Sequence, residues 1–331
     1  MTNVHAQTHQ SMPASVPSSQ VRPPLQPQDQ IRRLVWKMAI ATFLLMAIGS
    51  ATRVMNAGLA CPDWPLCYGT LIPRQQMNLQ VFLEWFHRLD AALIGLLAIA
   101  LVALSVWHRR VLPRWTPWAA LFALSLIVFQ GALGGLTVTE LLRFDIVTAH
   151  LGTALLFFTT LLLMGMALLP YQGTGNVGKL PWVSLTAAIL VYLQSLSGAL
   201  VGSRWAVHQC LAGSQLCGVM NTHLFGMVPA SLMTLAVVVL AWRTPALHPA
   251  LRRLAYVAGG FLLLQVALGF ATFHFHLQVE PLTIAHQAIG AALLGTLVCF
   301  TALGMRDRQF TKTIASAPPS PIPTPQSPLA T

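Results

Sequence analysis

Apolar residues in this chain do not alternate with polar ones; they run on. Eight long apolar stretches stand out, roughly 34–51, 84–107, 118–138, 146–169, 182–201, 220–242, 254–273 and 282–305. Each is close to the roughly 20 residues that an α-helix needs to cross a bilayer core. Strands of a membrane barrel alternate lipid-facing and lumen-facing positions, so unbroken runs of this length predict helices instead. The pattern therefore predicts an all-α polytopic membrane protein with eight transmembrane helices.

Composition agrees. Hydrophobic residues make up 55% of the 331 residues and charged residues 8%, too few to cover a soluble protein of this size. The net charge of +11 raises the question of a nucleic-acid partner, and its distribution answers it. With both termini in the cytoplasm, the inner segments hold 14 of the 19 Lys and Arg residues, and six of the eight acids fall outside. That asymmetry is the positive-inside pattern of a membrane protein surrounded by lipid, and no nucleic acid is implied. Residues 1–30 and 311–331, rich in Pro, Ser, Gln and Thr, cannot bury a core and read as disordered cytoplasmic tails. The first lacks the layout of a cleaved signal or transit peptide, which points to a bacterial plasma membrane.

Histidines expose a repeat. His87, His150, His223 and His286 lie near the outer ends of the even-numbered spans, and both intervals, His87 to His150 and His223 to His286, are 63 residues. The pairs are 136 residues apart. "TAHLGTALL" around His150 echoes "IAHQAIGAALL" around His286, and "QGALGGLT" from Gln130 echoes "QVALGFAT" from Gln265. "GSATR", ending at Arg53, resembles "GALVGSR", ending at Arg204. Two repeated four-helix bundles follow, 31–172 and 173–310, in the same orientation.

One histidine at a membrane boundary often does no more than bond a neighbouring helix. Four at one depth, repeated as pairs, point to a ligand. Two imidazoles per bundle suit the axial positions of a haem iron; zinc or copper would draw three or four ligands together. Ala91, Gly95, Ala154 and Gly290 lie one or two turns beyond these histidines and leave room for a flat ring, although small residues also serve plain helix packing. His208, His274 and His276 have no counterparts in the first half, and His5, His9, His108 and His248 lie in the tail or inner loops.

Four of five cysteines fall in outer loops as two close pairs, Cys61 with Cys67 and Cys210 with Cys217. On an oxidising face such pairs form disulfides. Each is either a clasp on its loop or a labile, redox-active bond. Cys299 stands alone in the last span as a packing residue.

"GLACPDWPLCYG" (58–69), "EWFHR" (84–88), the four histidines and the duplicated layout together resemble the haem A synthase family of terminal-oxidase assembly, across residues 34–305. The resemblance implies oxidation of a porphyrin methyl group of haem O to a formyl group, giving haem A. It also implies that His87 and His150 flank the substrate haem O in the first bundle, with Glu84 as the acidic group beside it. His223 and His286 would be axial ligands of a resident haem b in the second, and all four would bind haem iron. Haem O would arrive from a protohaem farnesyltransferase, haem A would leave for a terminal oxidase, and electrons would go to an unidentified acceptor.

The halves differ in a telling way. Positions 136 residues after Glu84 and Arg88 are Met220 and Leu224, so only the first pair has a carboxylate one turn from its histidine. Methyl oxidation releases protons as well as electrons, and a carboxylate at the water boundary can take them. Glu84 can equally form a helix-end ion pair with Arg88. Arg53, Arg88 and Arg204 are candidates for haem propionates, or snorkelling residues that mark the interface. The main rival is a di-haem b membrane cytochrome that passes electrons, for instance from quinol, without porphyrin chemistry. A transporter is less favoured, because the polar groups sit at the outer edge and not at the bilayer centre.

Overall fold

The structure, a computed structural model, describes the backbone of residues 26–202 and 216–316, and side chains for 26–202 and 218–309. Arg204, His208, Cys210 and both terminal tails beyond these limits lie outside the described residues, as does the side chain of Cys217.

Eight helices are present among the described residues: α1 (Pro27–Val54), α2 (Leu79–Trp107), α3 (Thr116–Thr139), α4 (Phe144–Ala167), α5 (Leu180–Val201), α6 (Leu216–Arg243), α7 (Pro249–His274) and α8 (Glu280–Ser316). All eight contain a stretch long and apolar enough to span a membrane, so the protein is an all-α, multi-pass membrane protein. The ends follow local chemistry. Pro stands in the first turn of α1, α3, α5 and α7, where its missing N–H costs nothing. The Asn78 side chain accepts from the backbone N–H of Val81 to start α2, satisfying one of the donors every helix start leaves free. At the other extreme, α8 outruns its apolar stretch and continues to Ser316.

Contacts follow chain order. Helix α1 packs on α2 and α4, and α3 on α2 and α4; likewise α5 packs on α6 and α8, and α7 on α6 and α8. The two quartets meet where α1, α4 and α5 touch each other or α8. Helix α8 is the most enclosed of the eight and α7 the least. Side chains such as Leu96, Phe122, Leu232 and Leu263 are left exposed on the flanks, where lipid, rather than protein, is the natural partner.

The repeat extends to the backbone. After α3, Leu141 and Leu142 take positive φ of 51° and 60°; after α7, His276 and Leu277 take 52° and 60°. In both turns the second residue's N–H returns to a threonine carbonyl, Leu142 to Thr137 at 2.8 Å and Leu277 to Thr272 at 2.9 Å. Left-handed conformations are uncommon for leucine, and the same pair of them recurs at the same spacing that separates Gln130 from Gln265.

Opposite the histidine-bearing end, the quartets are joined by a buried carboxylate. Asp307 of α8 accepts from Tyr171 Oη (2.8 Å) and from the backbone N–H groups of Thr174 and Gly175 (3.1 and 2.7 Å). Burial, and then the bond to Asp307, push the Tyr171 hydroxyl upward from its ordinary pKa, so it stays protonated and remains a donor. Arg306 binds the carbonyls of Met166 and Leu169. Helix α8 thus closes the linker between the quartets.

Candidate functional site

All four histidines lie about two turns into their even-numbered helices and are half-buried. Each packs against a glycine in the last turns of the preceding odd-numbered helix. A Cβ on Gly49, Gly134, Gly198 or Gly269 would stand 2.8, 3.3, 2.9 or 2.9 Å from Cε1 of His87, His150, His223 or His286 respectively. At Gly49, Gly198 and Gly269 contact this close leaves no place for a side chain, and at Gly134 a Cβ would be tight. The backbone carbonyl one turn before each glycine, of Leu45, Gln130, Gln194 and Gln265, faces the same ring.

The ring nitrogens differ in their partners. Nδ1 of His87, His150 and His286 is sealed without a partner of full hydrogen-bond geometry. Nδ1 of His223 is met by Ser197 Oγ at 2.9 Å and Gln194 Nε2 at 3.1 Å. At His223, Ser197 Oγ already donates to the Gln194 carbonyl (2.8 Å) and can accept from an Nδ1–H, which leaves Nε2 for a ligand. At His286, Gln265 Nε2 approaches the ring Nε2 at 3.4 Å.

The second pair can be tested for fit. His223 and His286 face one another with ring centroids 6.5 Å apart and planes at 80°. A metal between two imidazoles holds their centroids roughly 6 Å apart, at about 2 Å per metal–nitrogen bond and about 1 Å from each nitrogen to its ring centre. Beside them lies a cavity of about 310 Å³, within the range of ligand pockets. Both histidines line it, with apolar groups such as Met220, Leu262 and Phe273. Among the described residues no cluster of three His, Cys, Asp or Glu exists, so neither pair is part of a zinc- or copper-type site there. Two axial nitrogens and an apolar slot fit a metal that brings its own equatorial ligands.

In the first quartet, His150 is within electrostatic reach of His87, and a loop covers the neighbourhood. Cys61 and Cys67 are disulfide-bonded and buried; the Cys210–Cys217 pairing lies outside the described residues. Glu84, buried, accepts from the backbone N–H of Cys61 (2.8 Å) through one oxygen and from Arg88 Nη2 (2.6 Å) through the other. Arg88 also donates to the carbonyls of Asp63 and Leu66 at 2.6 and 2.5 Å. The side chain of Asp63 accepts from the backbone N–H groups of Tyr68 and Gly69. The loop is thus clamped to α2 one turn from His87. Trp64, at its tip, lies against Gly135, a residue from the glycine that receives His150.

The guanidinium of Arg88 is committed to Glu84 and the loop. Gly290 lines the cavity, yet the space beside it is filled by the Gln265 amide, 3.2 Å from where a Cβ would be, and Gly95 faces open space. The small residues that receive the histidines are on the odd helices. Arg53 leaves its own quartet, reaching Gln287 Oε1 (3.3 Å) and the second cavity. His274 and His276 are exposed, and Cys299 is a buried free thiol.

Sequence reasoning passed over the four glycines, Ser197, Gln194 and Gln287. Gly134 and Gly269 stand at matching places within the two quoted Gln-to-Thr repeats, and that was the available signal.

Comparison with known proteins agrees with this geometry. Residues 32–298 match the profile of a family described as cytochrome oxidase assembly protein. Heme A synthase of Shewanella oneidensis is 28% identical over 320 residues, covering 80% of this chain and 95% of the relative. Heme A synthase of Caulobacter vibrioides is 28% identical over 328 residues, covering 80% and 94%. That of Erythrobacter litoralis is 25% identical over 329 residues, with the same coverage. The chain belongs to the haem A synthase family of cytochrome oxidase assembly proteins.

Proposed function

We propose that this protein oxidises a methyl group of haem O to a formyl group, making haem A for terminal oxidase assembly. His87 and His150 would hold the substrate haem O, and His223 and His286 a resident haem b. The observation that carries this reading is the glycine-backed histidine pair, present in each quartet and, in the second, spaced for two axial ligands. Bound there, haem b supplies one-electron transfer. The protein is then an oxidoreductase of the bacterial plasma membrane, with the histidine end outside and both termini in the cytoplasm. The two quartets are two copies of one ancestral bundle.

The chain's own residues divide the work. The carbonyls that face the rings, with Ser197 at His223, would orient the imidazoles toward a bound haem, as outer partners of metal ligands do elsewhere. The clamped loop with Trp64 shields the first site from water. Glu84 stands one turn from His87, and the second quartet has Met220 in its place; it accepts protons released as the methyl group is oxidised. With water supplying the formyl oxygen, the change from methyl to formyl releases protons and electrons in equal number; a haem b held by His223 and His286 would carry the electrons toward an acceptor, and haem O would come from a protohaem farnesyltransferase.

One observation favours the rival di-haem b cytochrome: both oxygens of Glu84 are already engaged, by Cys61 and Arg88. Mass analysis of haems from cells with and without the protein separates the readings. Haem A that depends on the protein supports the synthase. Haem O left unchanged beside a spectrally active di-haem protein supports the cytochrome.

A further inference from the structure

We infer that Arg53, a residue of the first quartet, binds the carboxylate edge of the haem held by the second. This rests on the resident-haem reading above and adds a ligand contact supplied across the boundary between the quartets.

The register of the repeat makes the crossing visible. Gly49 backs His87 and Gly198 backs His223, so these glycines are counterparts. Arg53 follows Gly49 by four residues; the residue four after Gly198 is Gly202. The guanidinium of Arg53 lies against Gly202, where any Cβ would collide with it. The second quartet therefore has no side chain at the place where the first has its arginine, and the first quartet's arginine fills that space. Arg53 lines the second cavity there, together with Met46 and Phe43 of the same helix.

Its bonding is incomplete. Nη2 donates to Gln287 Oε1 at 3.3 Å, an acceptor shared with Ser50 Oγ at 2.9 Å. Nη1 is sealed from solvent and has no partner, and among the described residues no carboxylate pairs with Arg53. A buried cation that meets only a neutral amide is costly. A guanidinium fork matches a carboxylate with two parallel bonds, and the propionates of a haem present carboxylates at one edge. Gln287 directly follows His286, so the same contact ties α1 to the axial ligand. One turn of α1, from Gly49 to Arg53, thus serves both sites.

The test uses full-length protein purified in detergent, with His87→Ala and His150→Ala leaving only the second pair. Iron protoporphyrin IX and its neutral dimethyl ester are titrated by the Soret band. The free acid is expected to bind tighter than the ester by on the order of tenfold to a hundredfold. Arg53→Met abolishes that preference while ester binding persists; Arg53→Lys keeps part of it. In the reciprocal His223→Ala, His286→Ala protein, Arg53→Met changes nothing. Equal loss of both ligands in Arg53→Met would mean a merely structural role, and an effect confined to the reciprocal protein would place the contact in the first quartet; either overturns the inference. If the starting protein binds neither form, the haem reading itself fails, and this inference with it.

Discussion

Gly269 lies under the imidazole of His286, with space for a hydrogen and not for a methyl group: a Cβ there would stand 2.9 Å from Cε1. The same relation holds at Gly198 and Gly49, and more loosely at Gly134, where the distance is 3.3 Å. Alanine at Gly269 or Gly198 must push the ring toward the ligand, and overpacking of this kind costs about 1–3 kcal/mol. We expect Gly269→Ala and Gly198→Ala to lower bound pigment per protein, and Gly134→Ala to be the mildest of the four. Gly95→Ala is the control, because nothing lies within 4 Å of its missing Cβ. Absorbance per protein checks the order.

Ser197 and Gln194 meet Nδ1 of His223, whereas Nδ1 of His286 has no such partner. Loss of such an outer partner costs about tenfold to a hundredfold in affinity at metal sites. Ser197→Ala should therefore weaken pigment retention at the second site and leave the first unaffected. Pigment loss during dilution, followed spectroscopically, measures it.

Arg88 and Glu84 form a pair with side-chain exposures of 15% and 5%, and between them they bond Cys61, Asp63 and Leu66. Removing one partner strands the other, at a cost of roughly 3–5 kcal/mol. Arg88→Met should free the 61–69 loop and expose it to protease while the helices persist. Glu84→Gln keeps the shape and an acceptor for Cys61, so its loop should stay protected while haem A formation falls. Limited proteolysis beside haem analysis separates the two roles.

Asp63 gives the same loop an acid limit. The Gly69 N–H is the largest cause holding its carboxyl below the ordinary value of 3.8, with smaller help from Tyr68 and Arg88, against some desolvation. A carboxylate depressed in the folded state adds stability above its unfolded pKa and loses it as pH falls through the folded one. The loop should therefore hold through mild acid and loosen only below the usual carboxylate range. Trp64 fluorescence between pH 5 and pH 2 reports this, and Asp63→Asn should remove the transition.

Helix number and the histidine repeat were legible because both are periodic: apolar runs repeat at bilayer length, and His87, His150, His223 and His286 recur at fixed spacing. The Glu84–Arg88 pair was equally legible as an i, i+4 contact. The backing glycines were not, because contact between Gly198 and His223 is a fact about how α5 crosses α6, and glycine in an apolar helix has many uses. Gly290 lines the second cavity, and what spacing could not show is that the Gln265 amide reaches beside it from α7. Arg53 was read beside Arg204 because the segments look alike; helix packing pairs its position with Gly202.

The most direct measurement of the central claim is the absorption spectrum of the purified protein, with its extracted haems, for the parent and single histidine variants. The account predicts a Soret band from haem b that is lost in His223→Ala and His286→Ala and kept in His87→Ala and His150→Ala, the last two making no haem A. A pigment-free parent, or a pigment that survives replacement of all four histidines, would contradict it.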